Sequence, residues 1–195
     1  MQATKRKISN PNESLILVNS HDQVIGYETK EKCHQGNGLL HRAFSIFIFN
    51  DKKELLLQKR SSEKLLWPLH WSNSVCSHPR KGEEDQEASR RRLVEELGFH
   101  TQLQFLFKFQ YHAKFKDIGS ENELCSVYLG KINSPRVVQA DYHEIAEWKF
   151  VALDNLNEDI RNHPHKFTPW FKLEWQRIQD QHEIEIKNLL NTSLP

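Results

Sequence analysis

Trp67 to Gly98 reads W-P-L-H-W-S-N-S-V-C-S-H-P-R-K-G-E-E-D-Q-E-A-S-R-R-R-L-V-E-E-L-G, and its two halves decide the fold. The first half puts a thiol, Cys76, two residues before an imidazole, His78, in a polar loop with Trp67, His70 and Trp71. The second half, from about Glu84 to Leu97, predicts a helix. Glu87, Arg91 and Glu95 recur every four residues and can pair along one face. Gly98 stands where helices commonly end. A thiol beside a carboxylate-bearing helix points to chemistry on a metal-bound anion.

Strands flank this stretch. Ala43–Phe49 is apolar on both alternating faces, which predicts a buried central strand. A turn at Asn50-Asp51 leads into Glu54–Arg60, its hairpin partner. Ser14–Val18 and Val24–Thr29 read as an outer pair around a turn at 19–23. Lys30 to Leu40 reads as a loop, because Gly36-Asn37-Gly38 breaks a helix. Ser61 to Val75 reads as a long loop, a feature that is usually functional. Downstream, strands are predicted at Leu103–Phe115, Glu123–Ile132 and Ala146–Val151, with a short helix at Leu153–His163. Thr168-Pro169-Trp170 has a good N-cap followed by proline and opens a last helix. That helix carries Phe171, Trp175 and Ile178 on one stripe. Residues 1–13 are polar and read as a flexible opening segment, leaving one domain over 14–190. Strands mixed with helices without strict alternation give an α+β class.

Composition narrows the function. The chain has 195 residues, 27% of them charged, with a net charge of +1. That is enough chain for one sizeable core and no footprint of a nucleic-acid binder. No apolar run approaches the roughly 18 residues of a membrane span. Lys5, Arg6 and Lys7 are not followed by an apolar signal core. The odd set Cys33, Cys76 and Cys125 fits free thiols in a reducing, cytoplasmic setting.

Glu121 and Glu123 are two apart entering a strand, so they share a face with Cys125, Val127 and Leu129. Carboxylates on an apolar face are costly unless something positive meets them. His34, His41 and His78 lie in segments that loops can bring together, and a divalent metal with mixed nitrogen and oxygen ligands would answer the charge. The competing reading leaves the histidines on the surface and turns the strand over. Cys76 reads either as a small buried hydrophobe or as a reactive group. Tyr111, Trp67 and Trp170 read first as core aromatics, although Trp170 lies off the apolar stripe of its helix. Lys30, Lys32, Arg60, Lys64, Arg80 and Lys81 are ordinary surface charges unless they converge, when they would bind a phosphate or diphosphate. With no glycine-rich phosphate loop, side chains and metal would have to hold the phosphates.

Five pieces in this order carry a resemblance: His34 with His41, N-x-x-C-x-H-P at Asn73–Pro79, Tyr111-His112-Ala113, Glu121-Asn122-Glu123, and Thr168-Pro169-Trp170. The chain resembles the type I isopentenyl-diphosphate isomerases of the Nudix superfamily, from about Leu15 to the last helix. The resemblance implies a single α+β domain with a Nudix-like mixed sheet packed between helices. It implies interconversion of isopentenyl diphosphate and dimethylallyl diphosphate in isoprenoid precursor biosynthesis. Cys76 and Glu123 are then the catalytic pair, assisted by Tyr111 and Trp170. His34, His41, His78, Glu121 and Glu123 hold one divalent ion, manganese, magnesium or zinc. Glu96 and the Cys76 carbonyl hold a magnesium ion on the substrate diphosphate, and Lys30, Arg60, Lys64, Ser77 and Arg92 contact that diphosphate. The expected partner is a small-molecule diphosphate, with no nucleic acid and no membrane. A monomer is expected, with a weak homodimer through the last helix as the alternative.

The Nudix pattern G-x5-E-x7-R-E-U-x-E-E-x-G-U, where U is a bulky aliphatic, is present in altered form. It reads Ser77, Glu83, Arg91-Arg92-Leu93, Glu95-Glu96 and Gly98-Phe99. Arg92 replaces a metal-binding glutamate, which weighs against the alternative of a Nudix hydrolase acting on a diphosphate-containing substrate. A non-catalytic, metal-stabilised binding domain would need neither Cys76 nor an inward Glu123. Leu69 and Ser72 stand where the family commonly has glycine and threonine, which bears on the shape of that loop.

Overall fold

The computed structural model describes residues 10–134 and 137–191. The strands are β1 (Ser14–Val18), β2 (Val24–Thr29), β3 (His41–Asn50), β4 (Glu54–Arg60), β5 (Trp71–Ser72), β6 (Val75–Ser77), β7 (Leu103–Phe115), β8 (Gly119–Ile132) and β9 (Ile145–Ala152). The helices are α1 (Lys30–His34), α2 (Asp85–Leu97), α3 (Leu153–Asn162), α4 (Pro169–Gln181) and α5 (Glu183–Asn191).

β3 is the hub. It runs parallel to β8 along its whole length, from His41 opposite Glu123 to Asn50 opposite Ile132. Its other edge is shared by three antiparallel partners: β1 at His41, β6 at residues 44–46 and β4 at Phe49. β7 and β8 form a long hairpin, and β9 pairs with β4. The two-faced apolar pattern of β3 has a direct cause. Phe44, Ile46 and Ile48 pack on Leu93 and Leu97 of α2. Phe47 and Phe49 pack on the opposite side, in the cluster that holds Phe171, Trp175 and Ile178 of α4. Each such side chain, fully buried, contributes about 1.5–3 kcal/mol.

Several expectations need correction. Lys30 to Leu40 is not all loop. Thr29 caps the short helix α1 by accepting a hydrogen bond from the Lys32 amide at 3.4 Å. Gly36 and Gly38, both at positive φ, follow the helix and turn the chain rather than prevent it from forming. Five residues are too few to show helical periodicity. The long loop from Ser61 contains β5. The β8 strand begins four residues earlier than predicted, at Gly119. α4 is not the last helix, because α5 follows it. Thr168 does stand at the N-cap of α4 but makes no side-chain cap; its hydroxyl lies 3.0 Å from that of Ser72 and ties the helix to β5. Arg91 pairs with Glu95 at 3.0 Å and reaches back to Glu83 at 2.7 Å, not to Glu87.

The flexible opening segment 1–13 falls largely on residues 1–9, outside the described residues. Its end is anchored: the Glu13 carbonyl accepts from the Lys30 amide at 2.8 Å and the Pro11 carbonyl from the Glu31 amide at 3.1 Å.

The α1 loop docks on the start of β8. The Ser120 hydroxyl donates to the Gly36 carbonyl at 2.7 Å, and the Asn122 amide donates to the Gly38 carbonyl at 3.2 Å. A Cβ at Gly119 would fall 2.3 Å from the His34 carbonyl oxygen. Gly119→Ala should therefore displace α1 and cost about 1–3 kcal/mol, the usual penalty of overpacking. Chemical unfolding measures this cost, and metal content measured on the same sample should fall as His34 moves. An unchanged unfolding midpoint would show that α1 is free to shift.

Candidate active site

The sheet register assembles the site. His41 on β3, Glu123 on β8 and Tyr111 on β7 are direct neighbours across three adjacent strands. The row therefore points to one face. The Tyr111 hydroxyl donates to Glu123 Oε2 at 2.5 Å. Glu121, two residues earlier, lies on the same face beside His34, with Oε2 and Nε2 2.8 Å apart. His78, just past β6, brings Nε2 to 2.8 Å from Glu123 Oε1. Strand β6 owes its position to the two residues before it. The Ser74 hydroxyl bridges β3 and β4, accepting from the Ile48 amide at 2.8 Å and donating to the Leu56 carbonyl at 2.6 Å. The Asn73 amide donates to the Val75 carbonyl at 2.6 Å.

The five ligand candidates form one buried cluster whose donor atoms all lie within 4.8 Å of one another. The three imidazole rings make a near-equilateral triangle, with centroids 4.9–5.2 Å apart. Two of the rings are oriented by the backbone. The Nδ1 atoms of His34 and His41 lie 2.6 and 2.7 Å from the carbonyls of Lys30 and Leu39. Donation there keeps the proton on Nδ1 and leaves an Nε2 lone pair facing the cluster, the arrangement that metal-binding histidines use. His41 Nε2 and His78 Nδ1 are buried with no hydrogen-bond partner among the described residues. Three imidazoles, two of them with an orphaned ring nitrogen, and two carboxylates fit a divalent cation.

The electrostatics agree. Burial opposes a charged His34, but Glu121 outweighs it and holds the imidazole above its ordinary pKa. Burial, with Lys30 and the other two imidazoles, holds His78 well below. Burial pushes Glu123 up, yet His41 and the Tyr111 hydroxyl bring it below the usual range. Burial raises the Cys76 thiol to about 11 despite the pull of Arg60. The thiol is therefore protonated near neutrality while Glu123 is ionised.

A pocket opens over this row. Its wall includes His34, His78, Glu121, Glu123, Tyr111, Cys76, Ser77 and Trp170, with Lys30, Arg60 and Lys64 among the basic residues. Trp170 is almost fully buried and sits edge-on to Trp67 at 5.3 Å. Arg60 lies 5.2 Å from the Trp170 ring centre and donates to the carbonyls of Leu66 and Trp67 at 2.9 and 3.1 Å. It therefore also fastens the loop over the pocket. In that loop Trp67 and Leu69 both have positive φ. At Leu69 the backbone takes the left-handed form that glycine adopts freely, so the loop holds a turn here that a side chain rarely adopts.

Arg92 and Glu96 stand behind the pocket wall, not in it. Arg92 pairs with Glu95 at 3.0 Å, Glu96 at 2.6 Å and Glu144 at 3.2 Å. Burial raises Glu96, and Glu144 nearby adds to it against the pull of Arg92.

Two buried acids escaped the sequence reading. Glu144, just before β9, pairs with both Lys64 and Arg92; no periodicity marks it. Glu174 on α4 is fully buried, 3.5 Å from the Cys125 sulfur, and burial raises it to about 8. It falls three residues after Phe171, so a carboxylate on the apolar stripe was its one visible signal.

A family model described as the NUDIX domain matches residues 39–171. Two solved structures share the fold. A Deinococcus radiodurans protein has a TM-score of 0.63 at 22% identity, covering 77% of this chain and 90% of its own. The MutT protein of Methanosarcina mazei has a TM-score of 0.60 at 18% identity, covering 74% and 96%. The altered box on α2 and the strand topology are thus those of a Nudix-domain protein. Curated relatives narrow the class. Isopentenyl-diphosphate Delta-isomerase 1 of Photorhabdus laumondii is 42% identical over 172 residues, 87% of this chain and 97% of that protein. The isopentenyl-diphosphate Delta-isomerase of Halorhodospira halophila is 38% identical over 170 residues, 87% and 95%. The chain belongs to the isopentenyl-diphosphate Delta-isomerase family.

The protein should bind one divalent ion per chain at the histidine cluster, measurable by elemental analysis after dialysis. His78→Ala should weaken that binding by more than the roughly 10–100-fold that loss of an outer-sphere partner costs. A protonated imidazole cannot ligate. Because Glu121 raises the pKa of His34, affinity should begin to fall above the ordinary imidazole value of about 6.5 and keep falling as pH drops through it. Metal content unaffected by His78→Ala would remove the cluster as the binding site.

Proposed function

We propose that this chain interconverts isopentenyl diphosphate and dimethylallyl diphosphate, supplying isoprenoid precursors. The carrying observation is that a protonated thiol, Cys76, and an ionised carboxylate, Glu123, line one pocket with basic residues beside them. The diphosphate would be held by Lys30, Arg60, Lys64 and Ser77, with Arg92 behind them. The hydrocarbon end would then reach inward between Cys76 and Glu123.

The reaction adds a proton to the terminal alkene carbon, which places positive charge on the branched carbon. Loss of a proton from the carbon on its other side gives the allylic isomer. One proton enters the substrate and one leaves, with no change of oxidation state. Cys76 and Glu123 divide these two transfers, and the return reaction uses them in the opposite order. The Tyr111 hydroxyl holds the Glu123 carboxylate in place during the transfer. The pocket wall at Leu66, Tyr111 and Trp170 excludes water, which would otherwise capture the cation. The Trp170 face can stabilise the cation by about 0.5–2 kcal/mol.

A divalent ion held by His34, His41, His78, Glu121 and Glu123 would supply a fixed positive charge that orients Glu123 and tunes its proton affinity; manganese, magnesium and zinc all accept this donor set. A magnesium ion carried on the diphosphate would be neutralised by the Glu96 carboxylate, with the Cys76 carbonyl as a further oxygen donor. Arg92 in place of a box glutamate removes a carboxylate that a diphosphate hydrolase would use. The protein would work in the cytoplasm, where Cys76 stays reduced. It would act as a monomer, since Phe171, Trp175 and Ile178 are spent on its own core.

Incubation with isopentenyl diphosphate and magnesium should yield the acid-labile allylic isomer. Cys76→Ala and Glu123→Gln should each lower turnover by about 10²–10⁴-fold. Cys76→Ala should keep the cluster metal, and Glu123→Gln should lose part of it. Cys76→Ser should not restore full rate, because a hydroxyl is a far weaker acid than a thiol. Near-normal turnover in Cys76→Ala, with metal retained, would end the two-residue mechanism.

A further inference from the structure

We propose that Glu144 is a positioning residue for the diphosphate, holding Lys64 and Arg92 at a set spacing before substrate arrives; this rests on the isomerase reading above.

The Glu144 carboxylate is used as a fork. Oε2 meets the Lys64 ammonium and Oε1 meets Arg92 Nη2 at 3.2 Å. The residue is only 5% exposed. Its carboxyl lies far below the ordinary range: burial works the other way, but Lys64 and Arg92 override it. It is thus an anion at any working pH. Its backbone is fixed at both ends of the site. The Glu144 carbonyl accepts from the Ser61 amide at 3.0 Å, three residues before Lys64. Its amide donates to the Asp141 carbonyl at 3.0 Å, and the Asp141 amide donates to the Glu96 carbonyl at 2.8 Å, in the last turn of α2. One short segment therefore links the helix carrying Arg92 to the loop carrying Lys64.

Two effects oppose each other. By Coulomb's law, a carboxylate among the cations should repel a diphosphate, so its removal should tighten binding. Against this, Lys64 is a long side chain with several rotatable bonds, and ordering it on binding costs entropy. Arg92 keeps Glu95 and Glu96 whatever happens to Glu144. Lys64 has no other carboxylate partner among the described ion pairs, so without Glu144 its ammonium would lose its fixed anchor. The positioning effect should win, because a single rigid anion here orders two cations.

The test uses the full-length, metal-replete protein. Glu144→Gln should raise KM for isopentenyl diphosphate and Kd for inorganic diphosphate, the latter by calorimetry, by about tenfold each, with kcat within about twofold. Glu144→Asp, which keeps the charge, should recover part of the loss. In a Lys64→Ala background the effect of Glu144→Gln should shrink to about twofold, since contacting residues couple. Unchanged or tighter diphosphate binding in Glu144→Gln would overturn the proposal and leave Glu144 as a competing anion. A loss confined to kcat, or full additivity with Lys64→Ala, would also overturn it. If the unaltered protein neither isomerises the substrate nor binds diphosphate, the isomerase reading fails instead, before any variant is compared.

Discussion

Two carboxylates buried on the inward face of β8 impose the constraint from which the site follows. Glu121 and Glu123 are each less than a tenth exposed, and unpaired charges so placed are among the costliest features a fold can carry. Everything near them answers that cost. β3 runs parallel to β8 and places His41 beside Glu123. The β7 hairpin partner places the Tyr111 hydroxyl on the other oxygen. The α1 turn, pressed against Gly119, brings His34 to Glu121, and β6 delivers His78. Cys76 then follows from chain geometry: it lies two residues before His78 and opposite Ser45 on β3. The candidate metal ligands and the proposed acid–base pair are one consequence of the same register.

The second pole is built on the opposite logic. Where β8 presents buried anions ringed by imidazoles, α2 and the 61–66 loop present cations matched with anions. Arg92, in the middle of the altered box, collects Glu95, Glu96 and Glu144 around itself. The box is here a mixed-charge wall. In the proposed reading this separates a diphosphate end from a hydrocarbon end, where Leu66, Tyr111 and Trp170 line the pocket. Such separation is what a thin amphiphilic substrate requires if its reacting carbons are to be held still.

Much of this was legible in the sequence, for identifiable reasons. The apolar run of β3 could only be a strand buried on both faces. Glu121 and Glu123 betrayed themselves by sharing a face with Cys125, Val127 and Leu129. The boundaries that failed were those set by tertiary contacts. α1 is too short to carry a period, and its cap at Thr29 gave no signal distinct from a turn. Gly119 to Asn122 joins β8 because the α1 loop and β7 dock on it. α5 has no N-terminal stop signal to separate it from α4. Glu144 was invisible because its importance lies in two partners, Lys64 and Arg92, that are distant in sequence. Arg60 was read as a phosphate contact, while its hydrogen bonds to Leu66 and Trp67 depend on a loop shape set by positive φ at Trp67 and Leu69.

The parallel pairing of β3 with β8 has a consequence for how the molecule comes into being. His41 and Glu123 are neighbours in the sheet but belong to distant parts of the chain, and α2 and the whole of β7 must be laid down between them. Contacts of such long sequence separation form late and slowly, because loop closure precedes any reward from them. No local hairpin or helix contains more than a fragment of the histidine cluster. A chain that has collapsed but mispaired its sheet would therefore offer an ion scattered imidazoles rather than a site. Binding of an ion at the cluster would thus draw the population towards the one register that brings α1, β3, β6 and β8 together.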